Sequence, residues 1–105
     1  MCHIYASQDP LRYEFLTKSV RLNGYATSVR LELEFWGILE RMAAEAGMGL
    51  PKFLATLHDE IEQIHGEVKN FASALRTSCL IYMEKKGSAD AVHRSRTQSQ
   101  LSPAV

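Results

Sequence analysis

The dipeptide Asn23-Gly24 constrains this chain more than any other feature, because it sits between two runs of alternating residues. Asn-Gly supplies the two left-handed positions of a type I′ turn, the tightest way to reverse a strand. A two-residue turn fixes the register. Leu22 falls opposite Tyr25, Val20 opposite Thr27 and Lys18 opposite Val29. One face then carries Val20, Leu22, Tyr25, Thr27, Val29 and Leu31. The other carries Ser19, Arg21, Ala26, Ser28 and Arg30. Turn and pattern agree, and a slip of one residue would reverse every side chain. The spacing therefore predicts a hairpin over residues 17–31.

Helical periodicity follows. Phe35, Trp36, Leu39, Met42, Ala43 and Ala46 share one face of a helix over 33–46, with Gly47 placed to end it. Leu50, Phe53, Leu54, Leu57, Ile61 and Ile64 share a face of a second helix over 50–64. Gly49 serves as its N-cap, Pro51 fits its first turn, and Gly66 marks its end. A third helix is expected from Phe71 to about Glu84, capped by Asn70, with Phe71, Leu75, Cys79, Tyr82 and Met83 as its apolar stripe. The domain so defined spans 17–86. Residues 1–16 form an arm with a turn at Gln8-Asp9-Pro10, where Tyr13, Phe15 and Leu16 are available to pack on the body. Residues 87–105 hold few large apolar side chains, and a disordered tail is expected there.

A chain of 105 residues is one domain at most. A core this small is marginal alone, and the two isolated cysteines, Cys2 and Cys79, provide no disulfide framework. Oligomerisation is then the expected source of further burial. Reduced thiols, no apolar stretch of membrane-spanning length and no secretion signal at the start together give a cytoplasmic expectation. Net charge is zero, but it is unevenly distributed. Residues 11–30 hold Arg12, Lys18, Arg21 and Arg30 against Glu14 alone. Residues 31–70 hold eight acids against Arg41, Lys52 and Lys69.

No catalytic cluster, metal site or cofactor cradle stands out, and an enzyme is not expected. His58 and His65 lie seven residues apart with Glu62 between them, a poor chelate by that spacing. Cys79 reads as a small core residue.

The order strand, helix, glycine turn, helix, carried by Ser28-Val29-Arg30-Leu31-Glu32, Phe35-Trp36, Leu39, Met42-Ala43, Ala46-Gly47, Phe53-Leu54 and Leu57, resembles the ribbon-helix-helix family of Arc and methionine-repressor type regulators. The wider span from Lys18 to Arg76 is similar to a group of short bacterial proteins in that family. Some of these carry an arylsulfate sulfotransferase-like label, which the absence of a glycine-rich phosphate cradle does not support. The resemblance implies a mainly helical fold with a small hairpin, intertwined as a homodimer through an antiparallel ribbon between subunits. It implies a DNA-binding regulator or antitoxin-like repressor whose ribbon enters the major groove. Ala26, Ser28 and Arg30 would read bases, with Ser19, Arg21 and Lys18 beside them. Gly49 and Leu50 would hold a phosphate at a helix N-terminus. Val29, Leu31, Phe35, Trp36, Leu39, Phe53, Leu54 and Leu57 would form the dimer core.

Two features separate the chain from that pattern. Gly49 stands where the family has Ser or Thr, and Pro51 removes an N–H from the first turn. An outer strand also gives a paired sheet four strands spanning ~14 Å, against a major groove ~12 Å wide. A protein-interaction module on the same fold, without sequence-specific DNA binding, is the alternative expectation.

Overall fold

A computed structural model describes the backbone of residues 2–99 and the side chains of residues 2–88. A short helix α1 (Cys2–Ala6) and a 3-10 turn over Pro10–Tyr13 come first. Two antiparallel strands, β1 (Phe15–Leu22) and β2 (Tyr25–Glu32), then form the hairpin. Their register is the one the turn dictates, and Gly24 takes φ 90°. Three helices follow: α2 (Leu33–Glu45), α3 (Leu50–His65) and α4 (Phe71–Ser99).

Local chemistry sets the boundaries. The Asp9 carboxylate accepts from the Leu11 N–H at 3.0 Å and starts the 3-10 turn. Gly47, at φ 71°, closes α2. The Met48 N–H donates to the Ala43 carbonyl and the Gly47 N–H to that of Ala44, the paired bonds of a Schellman ending. Gly66, at φ 89°, ends α3. The Asn70 side chain accepts from the Ser73 N–H at 3.0 Å and caps α4.

The core lies between one sheet face and the helices. Val20, Leu22, Val29 and Leu31 meet Trp36, Leu39, Leu54, Leu75 and Cys79. The Trp36 indole N–H donates to the Leu16 carbonyl at 2.8 Å, so the buried ring has its polar atom satisfied. Of the residues expected to need a second copy for cover, Val29, Leu31, Trp36, Leu39 and Leu54 are buried within one chain, and Phe35, Phe53 and Leu57 pack half-buried around them. The reason is α4. Leu75 and Cys79 supply, from the same chain, the layer that a strand and two helices lack.

Three other expectations are corrected. Tyr25, assigned to the covered face, is half exposed because α3 lies over β1 and leaves the start of β2 beside an open groove. Tyr13, Phe15 and Leu16 remain substantially exposed, and β1 begins at Phe15, so the arm gives way to the sheet two residues early. The chain is helical through residue 99, where a tail was expected. Few apolar side chains argue against packing but not against helix. Lys85, Lys86, Ala89, Ala91, Arg94, Arg96 and Gln98 are good helix formers, and no proline interrupts them. The rest of the expected tail, 100–105, lies outside the described residues.

Candidate nucleic-acid interface

A two-residue turn makes Leu22 and Tyr25 a hydrogen-bonded pair. Bonded pairs in an antiparallel ladder recur at every second residue. Thr27, Val29 and Leu31 therefore bond inward to Val20, Lys18 and Leu16. The N–H and C=O groups of Ala26, Ser28 and Arg30 point the other way, to the free edge of β2. The sheet has no third strand among the described residues, so that edge is unpaired.

The same three residues present their side chains on the face away from the core. Cross-strand neighbours there are Arg30 with Thr17, Ser28 with Ser19, and Ala26 with Arg21. All six are exposed. No ion pair among the described residues involves Arg21 or Arg30. Glu32, the acid nearest this face in β2, is turned to Arg76 of α4 at 3.0 Å. Its carboxyl is held below its ordinary value of 4.5, first by a bond from its own backbone N–H and then, against a burial penalty, by Arg76. The outer face is thus basic and hydroxylated, and its neighbouring acid is paired with Arg76 while also feeling the charge of Arg30.

Phe15, which the sequence reading left in the arm, lies on this face. The Arg30 guanidinium stands 4.0 Å from its ring centre, a cation–π contact that holds the side chain over β1. Continuing the alternation back from Thr17 by two residues is the signal that finds it.

Lys18 is placed differently. It faces the helices opposite Val29 and sits half-buried over the Trp36 ring at 5.2 Å. With Ser19, Leu50 and Pro51 it lines a depression of about 200 Å³. The start of α3 therefore lies beside β1, not β2. Gly49 caps α3 with no side-chain bond, and Phe53 already donates to the Gly49 carbonyl. Pro51 has no N–H, so Leu50 and Lys52 keep the free donors of this first turn. Lys52, exposed there, adds the charge that the sequence reading did not assign.

Along the free edge of β2 runs a groove of about 340 Å³. Ser28 and Arg30 form one wall, and His58, Lys69, Asn70 and Phe71 form the other.

A strand bearing a polar outer face, followed directly by two helices around a glycine turn, defines a ribbon-helix-helix protein. The chain belongs to the ribbon-helix-helix domain family, whose model matches residues 15–83; this family defines a DNA-binding regulator kind of protein, typically dimeric. Among solved structures the chain is similar to an uncharacterized protein from Bordetella pertussis Tohama I. The two share 42% identity at a TM-score of 0.78, over 84% of this chain and 72% of that one. No curated protein matches the chain. No helix among the described residues is long and apolar enough to cross a membrane.

Proposed function

We propose that two copies of this chain pair β2 against β2 and present the joined ribbon to the major groove of DNA, as a transcriptional regulator or antitoxin-like repressor rather than an enzyme. The observation that carries this reading is the coincidence of free edge and polar face in Ala26, Ser28 and Arg30. Arg30 is suited to guanine O6 and N7, Ser28 to several base edges, and Ala26 to a thymine methyl. Arg21 and Ser19, on the outer strand, face the flanking backbone.

Selection of bound duplexes from random DNA at moderate salt tests this. The expected output is a sequence with two related half-sites, bound with an affinity that falls steeply with salt. Arg30→Ala should weaken the selected site by roughly 1–3 kcal/mol and relax preference at one base position per half-site. Equal, weak binding to random DNA and to a non-nucleic polyanion would reject the reading.

One set of observations favours a second reading, a protein-interaction module. β1 runs the full length of β2, so a paired sheet is four strands wide, and α3 begins at a glycine followed by proline. Recovery of a stoichiometric protein partner, with no DNA after nuclease treatment, would select it.

A further inference from the structure

His58, Asp59 and Glu62 of α3 bring one imidazole nitrogen and two carboxylate oxygens within 4.8 Å of one another. His58 is 6% exposed, and its ring stands edge-on to Phe71 at 4.9 Å between centres. It makes no hydrogen bond or ion pair among the described residues. No buried polar atom there is stranded either, so its ring nitrogens still touch solvent. The imidazole is thus packed by Phe71 with no protein partner for its nitrogens, beside two carboxylates to which it is not bonded.

We infer that His58, Asp59 and Glu62 form a binding site for a first-row divalent cation such as Zn2+. One imidazole and two carboxylates suit such an ion, completed by water. His58 and Glu62 are four residues apart and so share one helix face. Metal–ligand bonds of about 2.1 Å hold neighbouring donors roughly 3–3.5 Å apart, so the widest pair closes by up to roughly 1.3–1.8 Å on loading. Glu62 is exposed and can rotate to do this. Two neighbours fix the other ligands. The Asn23 amide donates to one Asp59 oxygen at 2.5 Å, orienting the carboxylate and leaving its second oxygen open. Phe71 holds the His58 ring. The Asn23 bond is the outer support a ligating carboxylate needs, and the second His58 nitrogen is left to water. An ion here ties the hairpin turn, through Asn23, to the junction of α3 and α4. His58 also lines the groove along the β2 edge.

The test uses the full chain, stripped with chelator and titrated with Zn2+ by calorimetry, with thermal unfolding in parallel. One ion per chain should bind and raise the melting temperature, because it binds the folded form only. Glu62→Gln, an exposed change, should weaken binding at least about tenfold and reduce the thermal shift at a fixed Zn2+ concentration. His58→Gln should do the same where it folds. His65→Ala and Cys2→Ser should leave both readouts unchanged. Wild-type affinity in Glu62→Gln, binding lost with His65 or Cys2, or no saturable Zn2+ binding by the wild type would each overturn the site. DNA binding is not a readout, so the result is independent of the proposed function.

Discussion

The two strands of the hairpin share one ladder and differ in everything beside it. β1 lies against α3, and its Val20 and Leu22 are buried. β2 has Val29 and Leu31 equally buried, yet its far edge faces an open groove. The apolar requirement of the sheet is met inside one chain, while the hydrogen-bonding requirement of its two edges is not; α3 packs beside β1, and the edge of β2 borders the groove. An open edge is a template for another strand. Association through this edge is therefore a matter of backbone pairing and polar complementarity, added to a core that α4 has already closed.

The strongest way to break this comparison is to attack the core. Leu39 is fully buried among residues from the sheet and α2 to α4. Leu39→Ala should cost about 2–5 kcal/mol in urea unfolding, the range for a leucine cavity that cannot collapse. A loss below ~1 kcal/mol would mean that the single-chain core is loosely packed and that burial by a second copy dominates after all.

The next test separates the strands. Ser19 and Ser28 are directly opposed, and both have their N–H directed away from the ladder. Proline at either position deletes no internal bond. Ser28→Pro should remove an N–H from the β2 edge of each of two paired copies. At ~1 kcal/mol per bond, the dimer dissociation constant should rise at least about thirtyfold by sedimentation. Ser19→Pro should leave dimerisation unchanged. Equal effects of the two, or none from either, would show that the copies do not meet along β2.

How much of this was legible beforehand depends on the range of the interaction. Asn23-Gly24 specifies pairing locally, so the register, the two faces and the exposure of Ser28 and Arg30 follow from adjacent residues. The caps at Gly47, Gly66 and Asn70 are equally local. The role of α4 is not. Leu75 and Cys79 show a helical stripe, but nothing nearby in the chain says that they close over Leu31 and Leu39 rather than over a second copy. Lys18 shows the limit within the hairpin itself. Its register position placed it opposite Val29, and only the packing of Trp36 explains why a lysine is tolerated there: its ammonium stands over the ring face in a cation–π contact while the side chain remains partly exposed. His58 and Glu62 stand at helical spacing in plain view. The pair His58 and His65 draws attention first, although seven residues is two turns. Phe71, whose ring shields His58, is thirteen residues away and unpredictable from that stretch.

The smallest expected effect concerns the end of β2. Arg76 reaches back from α4 to Glu32, joining the last residue of the open strand to the helix that closes the core. The Glu32 carboxyl is held below its ordinary value by its own backbone N–H and by Arg76. A depressed carboxylate stabilises the folded chain above its unfolded value, near 4.5, and that contribution is lost as pH falls through the folded value. Arg76→Gln should therefore cost about 0.2–1 kcal/mol at neutral pH, the range for a partly exposed pair, and little below about pH 4. It should also flatten the acid side of the stability profile by chemical denaturation. If Arg76→Gln is as destabilising in acid as at neutral pH, Arg76 acts by packing its stem across the sheet end, and β2 is anchored at that end by contact rather than by charge.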